Sequence, residues 1–208
     1  MDAKKSILVV GLAGGIASGK SLVASMLGDL GARVLNADEI NHEVLLEPEI
    51  VKTIVAEWGA DVLDAHGRLD RRKLGEMVFS DVRQVKKLEG ILHPEVLRRI
   101  LAAITEESAR SPRRVVVIDA PLLFEAGLSR ECDLIVFIDV PEDIRLERTM
   151  LNRHWDRKEL LKREKHQKPS SYKRAHADIV LTNSASAAEL KTRVEKLWDD
   201  LTRLNPQR

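Results

Sequence analysis

Two rhythms of apolar residues alternate along the chain. Short runs without helical periodicity occur at Ile7 to Val10, Ala32 to Leu35, Arg114 to Ile118, Leu134 to Val140 and Asp178 to Asn183. Apolar runs of this length read as strands covered on both faces, as in a parallel sheet. Between them the spacing turns helical: Leu22, Val23, Met26, Leu27 and Leu30 share one face of Ser21 to Leu30, and Gly31 follows as a stop. Pro141 closes the fourth run and opens a helix over Glu142 to Leu151, and Ala187 to Leu204 is a terminal amphipathic helix. Strands alternating with helices predict an α/β fold with a five-stranded parallel sheet flanked by helices.

The segment from about 41 to 110 breaks the alternation. Glu49 to Trp58 is amphipathic, a turn region ends at Gly67, and Asp70 is placed to cap a helix that opens near Arg71. Val82 through Ala109 is long and periodic, interrupted only where Pro94 follows His93, a step that predicts a bend. This is far more helix than a crossover between two strands requires, so the segment reads as an inserted helical subdomain. Inserts of this kind commonly hold a second substrate, the acceptor of a transferred group. Arg71 and Arg72 could pair with acceptor phosphates, or be solvated; His93 could contact a ligand, or mark the bend.

Candidate chemistry concentrates after the first strand. Gly14-Gly15-Ile16-Ala17-Ser18-Gly19-Lys20-Ser21 fits G-x-x-x-x-G-K-[ST], in the strand–loop–helix context the motif needs. Backbone N–H groups of such a loop point at phosphate oxygens, and the helix N-terminus adds partial positive charge. Lys20 reaches the β- and γ-phosphates and Ser21 places its hydroxyl on Mg²⁺. The expected ligands are therefore ATP and Mg²⁺. Asp38, just past the second strand, lies on the rim where open α/β sheets bind ligands, and can also cap a helix over Glu39 to Leu46. Asp119, at the end of the third strand, is placed to hold Mg²⁺ through its water shell, or to serve a turn.

From Arg145 to Arg174 eleven arginines and lysines accumulate without a glycine. Some form a solvated face; the position between the fourth and fifth strands also suits a lid, about 145–176, whose arginines would close on the γ-phosphate.

Composition changes this picture little. The 208 residues suffice for one kinase domain with inserted subdomains, and 44% hydrophobic with 32% charged residues is ordinary for a globular protein. A net charge of +1 does not suit a protein built to coat nucleic acid or an anionic membrane. One Tyr and three Trp leave little for base stacking. Lys4 and Lys5 before Ile7 to Ala17 imitate a secretory leader, but Gly11, Gly14 and Gly15 belong to a phosphate loop instead. No run of 18 apolar residues exists, the single Cys132 allows no internal disulfide, and the expected compartment is the cytoplasm. Oligomeric state stays open.

Taken together, Gly11 to Ser21, Ala37-Asp38, Leu69-Asp70-Arg71, Leu92-His93-Pro94, Pro121-Leu122-Leu123-Phe124-Glu125, Gln167, and Ala177-Asp178 with Asn183 resemble the dephospho-coenzyme A kinase family. The resemblance covers nearly the whole chain. It implies three parts: a parallel core, a helical coenzyme A domain and a lid. It also implies MgATP-dependent phosphorylation of the ribose 3′-hydroxyl of dephospho-coenzyme A, the last step of coenzyme A synthesis. Asp38 would contact the acceptor ribose, Arg71, His93 and Leu122 would belong to the acceptor site, Arg148 to the phosphate-closing set and Asn183 to the nucleotide site. The chain departs from the family pattern at Ala13 and Leu22, where Thr is usual, at Ala17, where Gly is usual, and at Asn36, where an acidic residue is common. Ala17 is expected to meet a positive φ, which costs a residue with a Cβ about 1 kcal/mol or more. The runner-up is a kinase for another small acceptor such as a nucleoside monophosphate. A nucleotide-controlled switch would need an Asn-Lys-x-Asp motif, which the sequence lacks.

Overall fold

A computed structural model describes residues 7–110 and 114–204; Lys4 and Lys5 of the charged start lie outside the described residues. Strands β1 (Leu8–Gly14), β2 (Arg33–Asn36), β3 (Val115–Asp119), β4 (Leu134–Asp139) and β5 (Ile179–Thr182) form one all-parallel sheet. Their order in space is β2-β3-β1-β4-β5. The chain leaves β1 toward one edge and leaves β3 toward the other, so the crevice of the sheet opens beyond the carboxyl ends of β1 and β3. Gly14 and Asp119 are the last residues of those two strands.

Burial follows position in the sheet. Every residue of β1 and β3 is buried. At the edges only Leu35 in β2 and Leu181 in β5 are. The second strand is thus not the buried run expected over Ala32 to Leu35: it starts at Arg33, which is exposed, because an edge strand has a partner on one side only. On one face of the sheet Leu8, Val10 and Leu12 pack with Val23 and Leu27 of α1 (Lys20–Asp29) and with Leu190, Val194, Leu197 and Leu201 of α9 (Ala187–Leu204). Alternation sends Gly11 to the other face, where a Cβ would lie 2.6 Å from Cys132 Sγ and 2.9 Å from Leu123 Cδ2. Two carboxylates pin the register at strand entry: Asp133 accepts from Val9 N at 2.8 Å, and Asp178 accepts from Ile135 N at 2.7 Å.

The chain divides into two compact units, Ala37–Ala102 and the remainder. The first of these holds α2 (Ala37–Val44), α3 (Pro48–Trp58), α4 (Arg71–Val78) and most of α5 (Val82–Arg110). Pro48 opens α3, and Asp70 caps α4 by accepting from Arg72 N at 3.0 Å and Lys73 N at 3.2 Å. Trp58 Nε1 donates to Gln84 Oε1 at 2.9 Å, and Val44, Ile54, Val62 and Val78 are fully buried. α5 runs through Pro94 rather than breaking there. A proline inside a helix costs about 3 kcal/mol. Leu92, Val96 and Ile100, one turn apart on either side, are all buried, and each such side chain contributes roughly 1.5–3 kcal/mol. Their combined burial outweighs the lost hydrogen bond.

After β4 come α6 (Glu142–Arg153), α7 (Arg157–Glu164) and α8 (Ser170–Ala175). Among the described residues no helix is long and apolar enough to cross a membrane.

Pro94→Ala should stabilise the protein. It restores a helical N–H, while the looser unfolded chain takes back about 1 kcal/mol. A net gain of about 1–2 kcal/mol should raise the calorimetric melting temperature by roughly 2–8 °C. A fall in melting temperature would mean that the proline serves the packing of α5.

Candidate active site

The loop between β1 and α1 has one consistent feature: side chains from elsewhere engage its carbonyl oxygens. Lys20 Nζ donates to Gly14 O at 3.3 Å and Gly15 O at 3.2 Å. Arg145 Nη1 donates to Ile16 O at 3.3 Å and Arg148 Nη1 to Ala17 O at 3.4 Å, both loose contacts. Asn183 Nδ2 donates to Ser18 O at 2.8 Å, the tightest of the set. Five consecutive carbonyls are thereby engaged. The first turn of α1 meanwhile has no side-chain cap on its N–H groups. Donors presented and acceptors occupied make a cradle that fits a polyanion.

The backbone conformation explains the residues at 17 and 19. Gly19 has φ 86, and a Cβ there would lie 2.5 Å from Asn183 Nδ2. Ala17 has φ 60, the positive value expected of it, in a region that costs an L-residue about 1–2 kcal/mol. Ser18 is fully buried, and its hydroxyl is one of two buried side-chain oxygens without a partner among the described residues. The other, Glu125 Oε2, belongs to the Pro-Leu-Leu-Phe-Glu stretch.

The segment from Arg145 to Arg174 is paired in part. Arg157 bonds Glu142, Arg163 bonds Glu159, and Arg174 bonds Asp139. Arg163 also stacks 4.0 Å from the ring of Trp155, with Arg153 at 4.9 Å. Arg148 Nη2 reaches Asn183 O at 3.0 Å, so two residues distant in sequence brace each other beside the loop. Lys173 is 2% exposed and donates to Gln167 Oε1 at 2.8 Å, with Glu125 at 4.0 Å. Burial pulls its titration below the ordinary value; Glu125 and Glu164 pull it partly back. Between the lowered folded value and 10.5 the unfolded chain binds more protons, so this group adds stability as pH rises through that window.

Other sequence-selected residues have definite places. Asp119 is buried at the end of β3, in register with Leu12 of β1 and Asn36 of β2. Ser21 lies in the first turn of α1, and Leu122 is half-buried in the turn after β3. Asp38 does not precede its helix as a cap: α2 begins at Ala37 and places Asp38 in the first turn, where a carboxylate complements the helix dipole. His93 sits within α5, half-buried. Arg71 Nη1 lies 2.6 Å from His42 Nδ1, both on the unit Ala37–Ala102. Sequence reasoning passed over His42, although its i, i+4 spacing from Asp38 on α2 is legible. It also passed over Trp155 and the individual part played by Arg145.

The profile of the family described as dephospho-CoA kinase matches residues 8–189. The chain belongs to the dephospho-CoA kinase family. It is 40% identical over 199 residues to the dephospho-CoA kinase of Thermobifida fusca, covering 95% of this chain and 98% of that one. With the dephospho-CoA kinase of Geobacillus kaustophilus it shares 39% identity, over 93% and 98% of the two chains. The dephospho-CoA kinase structure from Campylobacter jejuni superposes with a TM-score of 0.74 at 25% identity, covering 96% of this chain and all of that one. A crystal structure from Thermus thermophilus gives a TM-score of 0.75 at 35% identity, over 93% and 97%. As a member of the dephospho-CoA kinase family the chain is an enzyme, and its loop is the nucleotide-binding loop of a P-loop kinase fold.

Ala17→Gly should relieve the loop. Glycine accepts φ 60 without the Cβ cost but loses more entropy on folding, leaving a gain of up to about 1 kcal/mol. The melting temperature should rise by about 2–4 °C. Destabilisation would show that the methyl group packs favourably enough to offset the strain.

Proposed function

We propose that this protein transfers the γ-phosphate of ATP to the ribose 3′-hydroxyl of dephospho-coenzyme A, giving coenzyme A and ADP. The observation that carries the reading is the loop whose five carbonyls, from Gly14 to Ser18, are engaged by Lys20, Arg145, Arg148 and Asn183. A kinase for another acceptor would share that loop, so the acceptor itself rests on the family.

Phosphoryl transfer depends on alignment and on charge stabilisation more than on covalent chemistry by the protein. In this reading the loop amides and Lys20 hold the β- and γ-phosphates, and Asn183 and Arg148 keep the loop in shape. The ammonium of Lys20 exchanges its two loop carbonyls for phosphate oxygens. Ser21 and Asp119 are the residues that would hold Mg²⁺, one hydroxyl and one buried carboxylate. They suit an ion that keeps several waters and is otherwise bound through phosphates. That ion neutralises charge on the β- and γ-oxygens when bound.

The unit Ala37–Ala102 is proposed to hold the acceptor, with Arg71 on its anionic groups and His93 as a further contact; Leu122, which belongs to the other unit, is proposed separately as an acceptor-binding residue. Asp38 orients the ribose hydroxyl and takes its proton late in transfer. The stretch 145–176 acts as the lid, excluding water that would otherwise hydrolyse the triphosphate. The reading places the enzyme in the cytoplasm and needs neither nucleic acid nor membrane.

Purified protein given MgATP and dephospho-coenzyme A should yield a product one phosphate heavier by mass spectrometry, and nucleoside monophosphates should not be phosphorylated. The reverse preference would replace this reading with that of a nucleotide kinase. Asp38→Asn should lower turnover by ~10²–10⁴-fold, the usual contribution of a positioned base, with ATP affinity nearly unchanged. Retained turnover would move the base elsewhere, Asp119 being the next carboxylate.

A further inference from the structure

Arg145 is only 6% exposed, an unusual place for a guanidinium. It lies against the phosphate loop: a Cβ on Gly15 would be 2.7 Å from its Nη1, and the same nitrogen donates to Ile16 O at 3.3 Å. Its charge is met by Glu164, in the last turn of α7, which bonds that nitrogen. Glu164 and Gly15 line one small cavity of about 50 Å³ together with Gln167, Lys168 and Lys173. A carboxylate therefore sits beside a loop whose remaining chemistry favours anions.

A buried guanidinium needs a counter-charge, and a carboxylate placed there competes with the triphosphate for that guanidinium. We propose that Glu164 is an affinity-setting residue, an internal stand-in for a phosphate oxygen on Arg145, which nucleotide must displace. Arg145 is then a positioning residue that passes from the α7 carboxylate to the triphosphate, coupling the lid segment to the state of the loop. The proposal rests on the triphosphate reading of the loop and adds a sign to it: removing the carboxylate strengthens nucleotide binding even as it removes an ion pair.

Calorimetric titration with a non-hydrolysable ATP analogue tests this on four proteins: wild type, Glu164→Gln, Arg145→Gln and the double variant. Glu164→Gln should bind the analogue roughly fivefold or more tightly, within the usual range of coupling between sites. It should also melt at a lower temperature than the wild type. Arg145→Gln should bind more weakly than wild type, and the double variant should stay near Arg145→Gln, because the carboxylate acts through the guanidinium. Should Glu164→Gln not fold, Glu164→Asp keeps the charge on a shorter arm and should show a smaller gain. Unchanged or weaker binding by the folded Glu164 variant, or an equal gain with and without Arg145, would overturn the proposal. A wild type that binds no analogue at all would instead overturn the triphosphate reading beneath it.

Discussion

A phosphate loop must present donors, and it can do so only if its acceptors are occupied. Here Lys20, Arg145, Arg148 and Asn183 meet the carbonyls of Gly14 through Ser18. Much of the architecture of the sheet-bearing unit serves that arrangement. The order β2-β3-β1-β4-β5 sets β1 between β3 and β4. Residues from α6, which follows β4, and from Asn183, which follows β5, are thereby brought to one loop. The cost is local: Ala17 at a positive φ, a buried guanidinium, and a serine hydroxyl without a partner among the described residues. Such violations of ordinary preference concentrate at functional sites.

The loop's supports also tie recognition to the segment after β4. Arg145 and Arg148 stand one turn apart on α6, and each holds a different carbonyl. Arg145 is bonded in turn to α7 through Glu164. On the far side of that segment Lys173 joins Gln167 and Glu125, so α8 is anchored to the stretch that follows β3. Charge that looks like a bare run in sequence is in part paired, buried at Arg145 and Lys173 and at the surface for Arg157, Arg163 and Arg174.

Most of the fold was legible because its signals are local. Apolar runs gave four of the five strands to within a residue at each end, whereas β1 runs four residues past Val10, to Gly14, and Gly31 and Asp70 mark helix ends by known cap chemistry. The misses were matters of tertiary context. Nothing in Ala32 to Leu35 says that the strand lies at an edge, and nothing near Pro94 says that buried neighbours will carry α5 through it. The loop motif was plain from spacing. Its supports were not, since Asn183 stands 165 positions from Ser18 and Arg145 stands 129 from Ile16. Contacts of that separation have no local signature; family resemblance named Asn183 and Arg148 without saying what they touch. His42 was missed because a lone histidine on a helix carries little information until Arg71 is seen on its ring.

Hydrogen exchange of the loop amides tests the central claim most directly. If the engaged carbonyls leave the N–H groups between Gly15 and Ser21 for a triphosphate, a non-hydrolysable MgATP analogue should slow exchange in that segment, and AMP, lacking the β- and γ-phosphates, should leave it largely unchanged. Exchange indifferent to the analogue, or slowed equally by AMP, would contradict the account.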